Sequence, residues 1–336
     1  MPGGQDKSLW RRDAEIFVVS ALILYLELVL IRWMSAELRI FAYLGNLILV
    51  VCFFGTGLGC YLASQPVILT RLGVHLMVLT GLVANPFHLE FLDFRRLTYW
   101  LAGLEDSPMW GMFVAPGSRV AARLAAVAVL LYLVVFVFVP AGQVLGRTIA
   151  QHPRTIRAYS VNIAGGLAGI WLFTALSWLC TTPVEWFGVL AVLIVALAEL
   201  TGWRSWGLVV TLGIAICFIW SGRPHRTRTI WSPYQKLEVK PLFAADPTNQ
   251  VPLGSYYHIV ANGIGYQLIL NLSDSFLRSY PKVYDPEQAR LSHYNLAFQF
   301  KRGIRRLLIL GAGAGNNAAA ALRHGVGEID CVEIDP

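Results

Sequence analysis

Long, nearly uninterrupted apolar blocks fill the first two thirds of the chain and give way, after Trp220, to short blocks that alternate with polar residues. A helix crossing the hydrocarbon core needs about 20 apolar residues, because every backbone polar group must be satisfied within the segment. Six blocks meet that demand: Ile16–Met34, Phe41–Ala63, Ala121–Pro140, Tyr159–Leu179, Val184–Leu200 and Trp206–Trp220. A seventh, Gly73–Phe91, is interrupted by Asn85, Pro86 and His88. The pattern predicts an α-helical polytopic membrane bundle of about seven transmembrane helices over residues 1–222. No cleavable leader is expected, since the run that follows Glu15 is too long for a signal peptide's apolar region and lacks a small-residue cleavage site.

Beyond the bundle the period changes. Gln235–Val239, Tyr256–Val260 and Tyr266–Leu272 alternate as strands, with an Asn262-Gly263 turn between the last two, and Pro286–Phe300 reads as a helix. These make a small β-rich unit over residues 223–300. In residues 301–336 the pattern is that of a first β-α-β: Arg305–Leu310 as a fully buried parallel strand, Asn316–His324 as a helix closed by Gly325, and Glu328–Val332 as a second buried strand. That order opens a Rossmann-like sheet, and we expect the chain to be a fragment of a longer doubly wound domain.

Composition sharpens this picture. Of 336 residues 56% are hydrophobic and only 14% charged, which excludes an ordinary soluble protein. The net charge of +7 comes from basic residues scattered singly or in pairs beside apolar blocks, as membrane topology requires, so no nucleic-acid partner is expected. Cys52, Cys60, Cys180, Cys217 and Cys331 show neither a disulfide framework nor metal-ligand spacing, and the histidines are isolated, so no metal is assigned. Orientation pulls two ways. The N-terminal Lys7, Arg11 and Arg12 with Arg147, Arg154 and Arg157 belong inside, whereas Arg223, Arg226 and Arg228 at the start of the tail argue that the tail itself is cytoplasmic. Seven helices cannot satisfy both.

Several residues stand out as candidate chemistry. Gly311, Gly313 and Gly315 turn the chain from strand into helix, where backbone must approach a ligand closely, and Glu333 stands at the tip of the next strand, where a carboxylate can accept from both hydroxyls of a ribose. The G-x-G-x-G spacing, with Asn316 at the sixth position, suits an adenosyl-sulfonium nucleoside better than NAD. The same spacing at Gly55, Gly57 and Gly59 lies inside an apolar helix and predicts close helix packing instead. Glu27 lies well within the first block, where an ionisable side chain costs roughly 2.5–3.5 kcal/mol, and since Arg32 points elsewhere around the helix it calls either for a structural partner on another helix or for a substrate or proton site. Asn162 shares a face with Gly166 and Gly169, and Gly165 with Gly169 makes a small-xxx-small pair, which predicts packing fixed by an amide hydrogen bond. Thr182-Pro-Val-Glu185 reads as a capping box.

Three separated motifs then align with one family. Ser232-Pro-Tyr-Gln-Lys-Leu-Glu-Val, Ser292-His-Tyr-Asn-Leu-Ala, and the glycine loop with Val332-Glu-Ile-Asp resemble the spermidine synthase family in order and approximate spacing. The bundle, with Glu27, Arg32 and Tyr159-Ser-Val-Asn-Ile-Ala-Gly-Gly, is similar to helical regions fused to synthase-like domains in bacterial membrane proteins. The resemblance implies aminopropyl transfer from decarboxylated S-adenosylmethionine to a small-molecule amine in polyamine biosynthesis. It also implies that Gln235 contacts the nucleoside, Tyr294 lines the amine side and Glu333 holds the ribose. Ala314 stands where the family has an acidic residue, and Asn295 and Leu296 replace its polar pair after the tyrosine. These departures leave open a methyltransferase using S-adenosylmethionine, and a transporter or sensor whose synthase-like domain does not catalyse. A bacterial inner membrane, with the C-terminal domain cytoplasmic, is the expected location.

Overall fold

The structure, a computed structural model, describes residues 3–87, 89, 117–203, 205–222, 227–242, 256–271, 273–279 and 292–335. His88, the end of the interrupted block, Arg223, Arg226 and the first residues of the helix expected from Pro286 lie outside them. The chain divides into two compact units, Met1–Pro224 and His225–Pro336.

The first unit is helical: α1 Gly3–Glu37, α2 Arg39–Tyr43, α3 Gly45–Tyr61, α4 Leu69–Ala84, α5 Gly117–Ala150, α6 Thr155–Trp178, α7 Pro183–Thr201 and α8 Trp206–Ser221. Four of these contain segments long and apolar enough to cross a membrane: Leu9–Glu37, Leu124–Ala150, Thr155–Trp178 and Pro183–Thr201. The apolar α3, α4 and α8 hold 17, 16 and 16 residues. At about 1.5 Å per residue they reach roughly 25 Å, short of a core about 30 Å thick. Helix ends depart from the sequence pattern for local reasons. The polar start of α1 stays helical, aided by the Arg11–Glu15 pair at 3.4 Å one turn apart. The block Phe41–Ala63 breaks at Leu44, where α2 is held back to α1 by the Ser35 hydroxyl donating to the Phe41 carbonyl at 3.0 Å. Asn85, left-handed at φ 46°, closes α4, and Glu185 accepts the Thr182 N–H at 2.8 Å to start α7.

Glycines bring the helices together. A Cβ at Gly55 would lie 2.6 Å from the Val135 carbonyl, and Gly59 meets Val139 and Gly142, so α3 and α5 pack backbone to backbone and run parallel. Gly57 meets nothing within 4 Å and plays no such part. In α6, Gly165 sits on Phe17 and Gly169 on Ala21 of α1, again parallel, with the Ser20 hydroxyl donating to the Asn162 side-chain Oδ1 at 2.7 Å beside them. Gly73 meets Thr211, and Gly222 meets Ala84, which makes α4 and α8 parallel. Helix α7 opposes α1: Arg11 reaches Leu200, while the Tyr25 hydroxyl donates to the Trp186 carbonyl at 2.9 Å.

Helices α1, α4, α6 and α8 therefore run one way and α3, α5 and α7 the other. Arg11, Arg12, Arg147, Arg154 and Arg157 gather at one end, and the chain leaves α8 at the opposite end. The start of α1 and the exit of α8 thus lie at opposite ends of the helical unit.

The second unit opens with a four-stranded antiparallel sheet in sequence order: β1 Arg228–Trp231, β2 Lys236–Leu242, β3 Tyr256–Ala261 and β4 Ile264–Leu270. Asn262 and Gly263, at φ 48° and 78°, form the two-residue turn joining β3 to β4, the conformation that suits a right-twisted hairpin. On β2, Lys236 and Glu238 are both buried, their side chains 2.9 Å apart, and Lys240 closes on the other carboxylate oxygen at 2.8 Å. Burial pushes the Glu238 carboxyl up, but the two lysines outweigh it and hold it down at about 2.

Helices α9 Asp274–Ser279 and α10 His293–Phe300 precede a parallel pair, β5 Arg306–Leu310 and β6 Glu328–Val332, joined through α11 Asn316–Arg323. One face of this pair packs Leu307 and Ile329 against Tyr294, Phe298, Ala320, Ala321 and Val326. The expectation of strands buried on both faces is corrected here. Leu308 and Leu310 are 58% and 74% exposed, and Cys331 is exposed, because among the described residues α10 and α11 cover only one face.

Candidate functional site

The glycine loop leaves β5 with Gly311, Gly313 and Gly315 at φ 71°, 52° and 80°, values that an L side chain adopts only under strain. Its N–H groups have definite acceptors. Gly311 and Ala312 donate to the Val332 carbonyl at 2.9 and 3.2 Å, and Gly315 donates to Ala312 at 3.0 Å. The Glu333 carboxylate takes the Gly313 N–H at 2.6 Å with one oxygen, and the Ile334 and Asp335 N–H groups at 2.8 and 3.3 Å with the other. Those backbone donors, Gly313 foremost, hold the carboxyl below the ordinary glutamate range, so it is ionised and solvent-facing at neutral pH.

Other residues expected at the site bond to neighbours of Glu333 and of the loop. Gln235, just before β2, donates through Nε2 to Asp335 at 2.7 Å. Tyr294 is buried in α10, and its hydroxyl accepts from Asn316 Nδ2 at 3.0 Å, a group that also donates to the Leu268 carbonyl at 2.5 Å. Asn316 thus ties the start of α11 to the hairpin and to α10. One participant was not legible in the sequence. Gln267 of β4 accepts the Ala314 N–H at 3.0 Å, and its Oε1 would lie 2.6 Å from a Cβ at Gly313. Asp335 has one carboxylate oxygen buried without a hydrogen bond among the described residues. Strand alternation marks Gln267 only as polar, and nothing in one sequence pairs it with a loop 47 positions away.

In the helical unit Glu27 is buried at 6% exposure, and its Oε2 has no hydrogen-bond partner among the described residues. Arg32 lies with its guanidinium 5.1 Å from the Trp186 ring centroid on α7. Asn162 has the amide partner its position called for, in Ser20. A network not anticipated joins α1 to the start of α6: Asp13 meets His152 at 3.1 Å and Arg157 at 2.6 Å.

No protein-family profile, no curated protein and no solved structure matches this chain.

Proposed function

We propose that the chain is a multi-pass membrane protein of about seven crossings, of bacterial inner-membrane type, whose C-terminal unit opens a Rossmann-like S-adenosyl-binding transferase fold of the spermidine synthase kind. The observation that carries this reading is the ionised, exposed Glu333 at the tip of β6, bonded to the glycine loop at Gly313, with Gln235 on Asp335 two residues on and Tyr294 on Asn316 just after the loop. A ribose would exchange its two hydroxyls for the Gly313 N–H on that carboxylate, and the loop would then be free to follow the rest of the nucleoside. The donor is decarboxylated S-adenosylmethionine, and the acceptor a small-molecule amine. Ala314, lacking a carboxylate for the donor's amino end, favours S-adenosylmethionine and methyl transfer as the second form of the same chemistry.

Titration of the full chain in detergent with S-adenosylhomocysteine tests this by calorimetry. Saturable binding should weaken about ten- to hundredfold in Glu333→Ala, the worth of one charge-assisted hydrogen bond of roughly 1.5–3 kcal/mol. A parent that does not bind, or a variant that binds equally, overturns the reading. It would favour a transporter or sensor with a non-catalytic domain, for which the loop's internally paired N–H groups and the buried Glu27 speak.

S-adenosyl cofactors are cytoplasmic, so the reading places the C-terminal unit there. Charge within the bundle pulls the other way, since Arg11, Arg12, Arg147, Arg154 and Arg157 outnumber Arg39, Arg119 and Arg123 at the exit end, and the reading follows the cofactor. The helix directions then require the start of α1 to lie outside. Reporters inserted before Leu9 and after Gly222 should therefore give opposite signals, with the cytoplasmic reporter active after Gly222. Cytoplasmic activity from both would refute the parallel arrangement of α1 and α8.

A further inference from the structure

We propose that the arginine-rich end of the bundle holds a phosphate-binding site, distinct from the adenosyl site, between the ends of α1, α4, α5 and α7. A cavity of about 530 Å³ lies there, and Arg11, Arg12, Arg147, Glu15 and Trp203 are among the residues that line it. Three guanidinium groups thus share one cavity with a single carboxylate. Asp13, a nearby acid outside the lining, is already committed to His152 and Arg157.

Arg11 is shared between the Glu15 carboxylate, at 3.4 Å, and a backbone carbonyl, whereas Arg12 and Arg147 hydrogen-bond backbone carbonyls rather than anions among the described residues. Arg11 donates to Leu200 at 2.9 and 2.6 Å, Arg12 to Gln151 at 2.7 Å, and Arg147 to Ala63 at 3.0 and 2.8 Å and to Gln65 at 2.6 Å. The Leu200, Gln151 and Ala63 carbonyls stand at or just past the C-terminal ends of helices, so these bonds fix the guanidinium groups in place. They do not neutralise them, and a guanidinium has more N–H donors than such contacts use. Stapling helix ends explains one arginine per end. It leaves the excess of guanidinium charge over the single Glu15 carboxylate uncompensated, and it does not explain why the Trp203 indole N–H is buried with no acceptor among the described residues. An anion in the cavity accounts for both, since it supplies opposite charge to the guanidinium groups and an acceptor to the indole.

Guanidinium pairs recognise phosphate oxygens by parallel hydrogen bonds, and basic pockets between the ends of spanning helices suit phosphate headgroups. The volume accommodates a glycerophosphate group. Its source is either an anionic lipid or a soluble phosphate ester, and only the lipid arm depends on the bundle lying in a membrane.

Delipidated full-length protein in non-ionic detergent provides the test, with thermal unfolding and native mass spectrometry as readouts. Phosphatidylglycerol in mixed micelles should bind at about one per chain and raise the midpoint above phosphatidylcholine, if the ligand is a lipid. Stabilisation by glycerol phosphate or inorganic phosphate alone, above chloride at equal ionic strength, identifies a soluble ester instead. In either arm Arg12→Gln and Arg147→Gln should weaken binding about tenfold or more. Arg154→Gln, at the same end but outside the cavity, should leave it unchanged. Trp203→Phe removes only the indole donor and should weaken binding severalfold while preserving the fold, which keeps the test open where an arginine variant does not survive purification. No stabilisation by any phosphate probe, equal loss in Arg154→Gln, or an unaltered affinity in Trp203→Phe overturns the proposal.

Discussion

The helical unit and the sheet unit are held by opposite means. Between helices the decisive contacts are those where a side chain is missing: Gly55 and Gly59 on α5, Gly165 and Gly169 on α1, with one amide bond at Asn162 marking the register. In the sheet unit the decisive contacts are polar side chains that reach backbone or one another: Lys236 with Glu238, Gln267 with Ala314, Asn316 with Leu268, Glu333 with Gly313. The difference follows from the surroundings. Where the outside is as apolar as the inside, burial drives little association and close packing decides. Where the outside is water, a sheet with few covered faces relies on a small core and on satisfied polar groups.

The contrast can be broken by substitution. The largest effect is expected from Glu238→Leu, which leaves buried Lys236 facing an apolar side chain. The sheet unit should lose about 3–5 kcal/mol in denaturant titration, while the helical transition stays where it was. The same carboxylate sets an acid response. Its folded pKa of about 2 lies below the ordinary value of 4.5, so its stabilisation is present above pH 4.5 and is lost as the pH falls through 2. In Glu238→Gln that part of the acid dependence should vanish. In the bundle, Gly169→Leu should cost about 1–3 kcal/mol by forcing α6 off the backbone of Ala21, whereas Gly57→Leu, with open space around it, should leave the thermal midpoint in detergent unchanged. A Gly57 variant as damaging as Gly169 would show that glycine content rather than contact matters. The smallest effect belongs to Asn162→Leu, about 0.6 kcal/mol from one interhelical bond, measurable as loss of coupling to Ser20→Ala in a double-mutant cycle.

What the sequence disclosed depended on how local its causes are. Apolar blocks located the helices because burial in lipid acts residue by residue, and the Asn262-Gly263 pair located the hairpin because its turn needs two residues with positive φ. The break at Leu44 and the passage of α5 through Pro140 depend on neighbours brought from elsewhere, as does the length of α1 beyond its apolar block. At the site, Gly311, Gly313, Gly315 and Glu333 were legible from strand-turn-helix logic. Gln267 was not, because its role is set by a strand pairing that places it against a loop far along the chain.

The two-residue turn at Asn262-Gly263 also sets an order in time. A hairpin so short closes within about 1–10 μs, long before a parallel pair that must wait for its crossover helix. Strand β4 should therefore stand formed, with Gln267 and the Leu268 carbonyl already presented, when β5 and β6 come together. The glycine loop is then moulded on a finished surface, and slowing the hairpin, for instance by Gly263→Val, would delay the maturation of a loop fifty residues downstream that the turn never touches.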